Sequence, residues 1–363
     1  MSGCLDNDCP PRPDGVGDMR TPDQGTSGGG IVPFGTPTGE KPTEKRLVLS
    51  VTSGLFFCAL GGAVAAAGFS LLAPAFVAYG LVSCAVCGGL REKVLAAVAA
   101  LVPAVALSLS DGASVVAASV VVCLVGLVSA GLLVREEMTP GVGCVVVALA
   151  AAAQLGAESL VALSQGTTLA AGVESLFDAY LQQLGGISSL ELAAQVSSIK
   201  ALLSVLWPAA YVLSALGAFL VAHVGVWLAA GRAGEKAPKL PKMVDYDLPL
   251  WVVAVFVLAA AALAVTLTVP AASSQVVLMV AANVVVAVRF ALAAQGLAVL
   301  TWFVREKHFR PLTACLLGMA ALYLEVQFFV LTVVGLVDVW TNFRHLQRGE
   351  KPGSDAATAA KQD

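Results

Sequence analysis

Between Leu47 and Leu90 the chain carries no charged residue, and this constrains the fold more than any other feature. A helix on the surface of a soluble domain shows water a polar face every few residues. A run of this length without charge belongs where no side meets water. A helix rises ~1.5 Å per residue, so a hydrocarbon core ~30 Å thick takes ~20 apolar residues to cross. The run from Leu47 to Leu90 is long enough for two crossings, with Gly68-Phe69-Ser70 and nearby Pro74 as the turn. Further apolar runs cover Val94 to Ser110, Ala113 to Val134, Val142 to Ala157, Ala201 to Ala230, Leu250 to Val269 and Val276 to Val304. That predicts eight spans before a final segment, and an all-α polytopic bundle of about eight to ten spans in residues 47–346. Composition agrees: 58% of the 363 residues are apolar and 12% charged, against about 45–50% and about 25% in soluble domains.

The positions of Lys and Arg orient such a bundle, whereas the net charge of -3 does not. Lys41, Lys45 and Arg46 precede the first span, Arg91 and Lys93 follow the second, and Arg135 follows the fourth. Arg232, Lys236, Lys239 and Lys242 follow the sixth, and Arg305, Lys307 and Arg310 follow the eighth. Every second loop is basic. The loops between carry Asp111, or Glu158, Glu174, Asp178 and Glu191 with Lys200 alone, or no charge. The asymmetry predicts a cytoplasmic amino terminus.

Two kinds of material stand apart from the spans. Residues 1–46 mix seven prolines with Gly, Asp and Thr, a composition that cannot bury enough apolar surface to offset the entropy of ordering, and they read as a disordered tail; 347–363 read the same way. The segment 166–199 reads as an extracytoplasmic amphipathic piece. Leu169, Val173, Leu176, Phe177, Tyr180, Leu181 and Leu184 recur at helical spacing, Gly185 ends the helix, and Ser188 with Glu191 forms a capping box for a helix running on into the sixth span. It is either a connector or a lid. Six of the eight cysteines lie in apolar runs, where a thiol serves as a small hydrophobe, and Cys4 and Cys9 have no companion His or Cys nearby.

The final run poses a parity problem. Eight spans from a cytoplasmic start return the chain to the cytoplasm at Arg305, so one further span over Pro311 to Trp340 would leave Arg344, Arg348 and Lys351 outside. A short hairpin with its tip near Glu325 to Gln327 keeps them, and the carboxyl terminus, inside. Ionised groups within a bilayer are costly and pair. Arg289 lies 16 residues before Arg305 and Glu325 lies 15 after Arg310, so in adjacent antiparallel helices both stand ~23 Å from the boundary. An Arg289–Glu325 ion pair is expected, as a register lock or as part of a buried polar site with Asn283 and Gln295. Asp338 should lie near the inner interface within reach of Arg305 or Arg310. His223, alone on an apolar helix, is expected to satisfy itself on a backbone or hydroxyl partner.

The sequence holds no phosphate-binding Gly-rich loop followed by Lys, no H-E-x-x-H, no G-x-S-x-G with a suitable His, and only three histidines. Catalysis, a resident metal or cofactor, and a nucleic-acid partner are therefore not expected. The runs "LLAPAFVAYGLVSCAVCGGLREKVLAAVAALVPAVALSL" and "LVGLVSAGLLVREE", then "AAQGLAVLTWFVREKHFRPL" and "GLVDVWTNFRHL", resemble the YybS-like family of bacterial multi-pass membrane proteins, over about Leu47 to Leu346. The most specific parts are Gln295-Gly296-Leu297-Ala298 and Gly335-Leu336-Val337-Asp338 with Phe343-Arg344. The family is distantly similar, in its first six spans, to the substrate-capture components of energy-coupling-factor transporters. The resemblance implies a small-solute binding protein of the cell membrane without its own ATPase, partnered by lipid and by an ATPase-containing transport module. A scaffold for cell-envelope or division proteins is the other class of function the sequence allows.

Overall fold

A computed structural model of the chain describes residues 49–183, 190–234, 237–269 and 274–346, with backbone only at 183 and 190–195. The tails 1–46 and 347–363, Cys4 and Cys9, the Gly185 stop and the Ser188–Glu191 box lie outside the described residues, in whole or in part. The described chain is all-helical. In order the helices are α1 (Val51–Ala66), α2 (Ala73–Cys87), α3 (Leu90–Ser108), α4 (Ala113–Val134), α5 (Pro140–Ser164) and α6 (Leu169–Gln183). Then follow α7 (Leu190–Leu206), α8 (Ala209–Ala233), α9 (Leu250–Thr268), α10 (Gln275–Glu306), α11 (Pro311–Phe328) and α12 (Val330–Thr341).

Among the described residues seven helices are long and apolar enough to cross a membrane: α3 with the turn that follows it, α4, α5, α8, α9, α10 and α11. Their outward faces carry large apolar side chains such as Leu90, Leu258 and Leu312, the surface hydrocarbon asks for and water does not. Two of the eight expected spans fall short. The run before Leu90 does divide near Gly68, but into helices of 16 and 15 residues, ~24 and ~22 Å long at ~1.5 Å per residue. The sixth span is also shorter than its apolar run: the chain breaks at Trp207-Pro208, separating α7 from α8, because proline cannot donate to the turn before it.

The helix ends follow local chemistry. Ser50 and Ser53 cap each other's backbone N–H at the start of α1, Thr139 receives Val142 N–H with Pro140 in the first turn of α5, and Glu92 reaches back to Gly89 N–H at the start of α3.

Helices α1 to α4 and α8 share one core, in which Cys58, Val77, Cys84, Ala100, Cys123 and Val226 are fully buried, and α5 joins it through α4 and α8. Small residues set the spacing. A Cβ on Gly62 would lie 2.1 Å from the Ala100 carbonyl oxygen, so α1 and α3 touch backbone to backbone, as helices do where lipid leaves packing as the main driving force. A second cluster joins α9, α10 and α12 through Leu248, Val252, Val253, Leu292 and Val339. The α10–α12 contact is closer still: Cβ atoms on Gly296 and Gly335 would each stand 2.0 Å from a carbonyl oxygen, of Leu331 and Leu292 respectively. Helix α11 lies at the margin, burying only Ala321 and Glu325. Lys200 of α7 ties α6 by reaching Asp178 at 3.0 Å and Glu174 at 3.1 Å.

Candidate functional site

Three polar constellations and one cavity stand out, and all but the third constellation border α10. The first closes the α11–α12 hairpin. The chain reverses at Phe329, which takes a left-handed conformation with φ +56°, two residues beyond the expected tip. Phe329 offers no side chain to cap α12, and Glu325 does that work from the preceding turn. Its carboxylate accepts from Thr332 N–H at 2.9 Å, from the Thr332 hydroxyl at 2.6 Å and from Arg289 Nε at 3.2 Å. Arg289 also donates to the Glu325 backbone carbonyl and lies over the Phe329 ring at 3.9 Å. The expected ion pair is present, but α11 scarcely touches α10, and the pair forms because the hairpin tip turns in toward α10. The pair closes that tip.

The second constellation is fully buried. Asp338 and Arg344 pair at 2.9 Å with both side chains out of solvent. Asp338 also receives Gln295 Nε2 at 2.8 Å and Phe343 N–H at 3.1 Å. Gln295 in turn contacts Asp247 and accepts from Leu248 N–H at 3.1 Å, while Arg344 donates to the Val244 carbonyl. The partner expected for Asp338 was Arg305 or Arg310; the cation that meets it is Arg344, and both others are exposed. The reason is the turn after α12, where left-handed Asn342 (φ 48°) and His345 (φ 50°) fold the chain back and bring Arg344 in from the boundary. Asn after the last helical turn is the available signal for such a reversal. This network ties the segment 237–249 to α10 and α12.

The third joins α5 to α8: the Tyr211 hydroxyl donates to Glu158, which also receives Gln154 Nε2 at 3.3 Å.

The cavity is a cleft of about 880 Å³ between α5, α8, α9 and α10, where the two helix clusters diverge. Val147 and Ala151 of α5, Phe219 and His223 of α8, Trp251 of α9 and Asn283 of α10 represent its walls. On α5 the lining runs from near Thr139 to Leu155, a rise of ~24 Å. Tyr211 stands at one end; Thr139, Lys242 and Tyr246 stand at the other. Outside the spans, burial, with Cys144 adding to it, pushes the Tyr246 phenol well above its ordinary range, so it stays a neutral hydroxyl. Compared with protein-family models, curated proteins and solved structures, the chain finds no match.

Of the residues the sequence singled out, only Asn283 and His223 line this cleft. Arg289 and Glu325 hold the hairpin, and Gln295 and Asp338 share the buried network. His223 Nδ1 lies 2.8 Å from the Phe219 carbonyl, the backbone partner expected of it. Among the described residues no group of His, Cys, Asp and Glu has the arrangement of a metal site. Nothing in the sequence marked Tyr211, Trp251 or Tyr246 as cleft residues, because helical periodicity does not say which pair of helices stands apart.

Proposed function

We propose that this chain is a multi-pass membrane protein that binds a small apolar or amphipathic molecule in the cleft between its two helix clusters, as a transport-related capture component without an ATPase of its own. The observation that carries the reading is the cleft: about 880 Å³ of space with almost wholly apolar walls, within the range of small-molecule sites and spanning much of the membrane's thickness. The alternation of basic loops supports eight to ten passes with the amino terminus, and the carboxyl terminus after the hairpin, in the cytoplasm of a bacterial cell. The resemblance to the YybS-like family, and through it to capture components, supports a transport module as the partner.

Purification in mild detergent followed by native mass spectrometry and identification of co-purifying proteins tests this. A bound small molecule or an ATPase-containing partner is the expected result; an empty protein in company with division or wall-synthesis proteins would overturn it. A scaffold is the second reading, favoured by the first cluster, whose Ala, Val, Gly and Cys packing around α1 to α4 leaves no room for a ligand.

A further inference from the structure

We infer that Arg232 and the apolar groove beside it hold an anionic phospholipid, with the phosphate on the guanidinium and a chain in the groove. The site goes beyond the cleft and shares no lining residue with it. Arg232 stands in the last turn of α8, where a long cationic side chain ordinarily extends toward water. Here it turns back onto α2. Its Nη1 donates to the Tyr79 hydroxyl at 3.1 Å, and the guanidinium lies 5.5 Å from the centroid of the Tyr79 ring. Tyr79 is itself fixed, being buried and set edge-on to Phe57 at 4.7 Å. It precedes the end of α2 at Cys87 by eight residues, a rise of ~12 Å. The charge is therefore held at the level of the helices, beside their apolar outer faces. Among the described residues no carboxylate pairs with it, although charges at such a depth usually meet a counter-charge. The guanidinium remains exposed, and its fork has donors left for one.

What lies beside the charge says what kind of anion it meets. An open groove of about 530 Å³ is walled by Trp227, Leu228, Pro238 and Leu240, with Arg232 at its edge. Leu240 packs on the first core cluster and gives the groove a fixed side. Trp227 is 64% exposed and lies five residues before Arg232, ~7.5 Å deeper along α8, in the place of an aromatic at a membrane interface. Charge reinforces the choice: residues 232–242 hold four cations, Arg232, Lys236, Lys239 and Lys242, against one acid, Glu235. A free phosphate ion would use the guanidinium and leave the groove empty. A neutral lipid would fill the groove and leave the cation unanswered. A zwitterionic lipid brings its own cation to a rim already rich in them. A phospholipid of net negative charge uses both parts, and the bilayer supplies it at high local concentration.

The test uses the full chain in mild detergent, with native mass spectrometry reading lipid adducts at equal concentrations of phosphatidylglycerol and phosphatidylcholine bearing the same chains. The unmodified protein should hold phosphatidylglycerol about fivefold to tenfold tighter, the worth of one charge-assisted hydrogen bond at an exposed site. Arg232→Gln should bring the two lipids to within about twofold. Arg305→Gln removes one exposed cation elsewhere and should leave the preference as it was. Trp227→Ala should weaken both lipids alike, since it strips the groove and not the charge. Arg232→Lys keeps the charge but not the fork that reaches hydroxyl and phosphate together, and should retain a preference of only about twofold to threefold. Equal binding of the two lipids to the unmodified protein would overturn the inference. So would an equal loss in Arg305→Gln, or an undiminished preference in Arg232→Lys, since either would show diffuse surface charge and no built site. None of these outcomes bears on the cleft, whose own test is separate.

Discussion

Replacing Glu325 with Gln keeps a group that can still accept from Thr332 but removes the charge that faces Arg289, so the substitution separates capping from ion pairing. Breaking a buried pair from one side costs about 3–5 kcal/mol. Arg289 is a quarter exposed, which places the expected loss lower, at about 2 kcal/mol, read as a fall in thermal unfolding temperature in detergent. Glu325→Ala should lose more, since Thr332 N–H is then uncapped as well. The double variant Arg289→Met with Glu325→Gln should recover part of the single loss, because no unpaired cation remains. At Asp338 the surroundings are harsher. Both partners of the Asp338–Arg344 pair are sealed from solvent, so Asp338→Asn should cost about 3 kcal/mol or more by the same measurement. The depth of these carboxylates could be counted from the sequence, and for Glu325 the count also found the partner. For Asp338 it did not, because straight-helix counting cannot see the two left-handed residues that turn Arg344 inward.

Helices α10 and α12 meet at glycines, and the contact has no slack for a methyl group. Gly335→Ala places a carbon 2.0 Å from the Leu292 carbonyl oxygen, so the helices must part, at a cost of about 1–3 kcal/mol from overpacking. The expected signs are lower thermal stability and faster proteolysis near the hairpin; a variant as stable as the parent would show that α12 is held by other means. At the opposite end of the scale of burial, α6 is moored to α7 by the exposed Lys200 pairs. Hydrogen bonding to Asp178, then to Glu174, raises the Lys200 pKa above its ordinary value. A raised folded pKa means that the mooring is complete below about pH 10 and is lost as pH climbs through the raised value. Hydrogen exchange in α6 should therefore be steady, beyond its intrinsic base-catalysed rise, up to about pH 10 and show an added acceleration above it. Helix existence was legible from apolar run length, and so was the break near Gly68. The division of α7 from α8 was legible only in Pro208, a signal outweighed by the unbroken hydropathy around it. The shortness of α1 and α2 left no mark, since the residues joining them are as apolar as the helices.

The two helix clusters differ in what fills them. One is packed with small side chains; the other is threaded with polar bonds, and the cleft lies between them. A bulky side chain set into that space should block ligand without harming the fold. Ala287→Phe, on the α10 wall of the cleft, is expected to abolish binding of a small molecule, read by native mass spectrometry, while leaving the unfolding temperature within about a degree or two, since the ring enters open space and does not overpack the core. No pattern in the sequence marked the cleft, because every helix that borders it reads as apolar on all sides. The buried network carries a consequence for how the protein is made. Arg344 closes on Val244, 100 residues earlier in the chain, and Asp338 on Gln295, 43 residues earlier, so at about 5–20 residues per second the ribosome leaves Val244 waiting about 5–20 s and Gln295 about 2–9 s for their polar partners. During that interval Gln295 stands without Asp338, a half-built state that a chaperone would have to shelter.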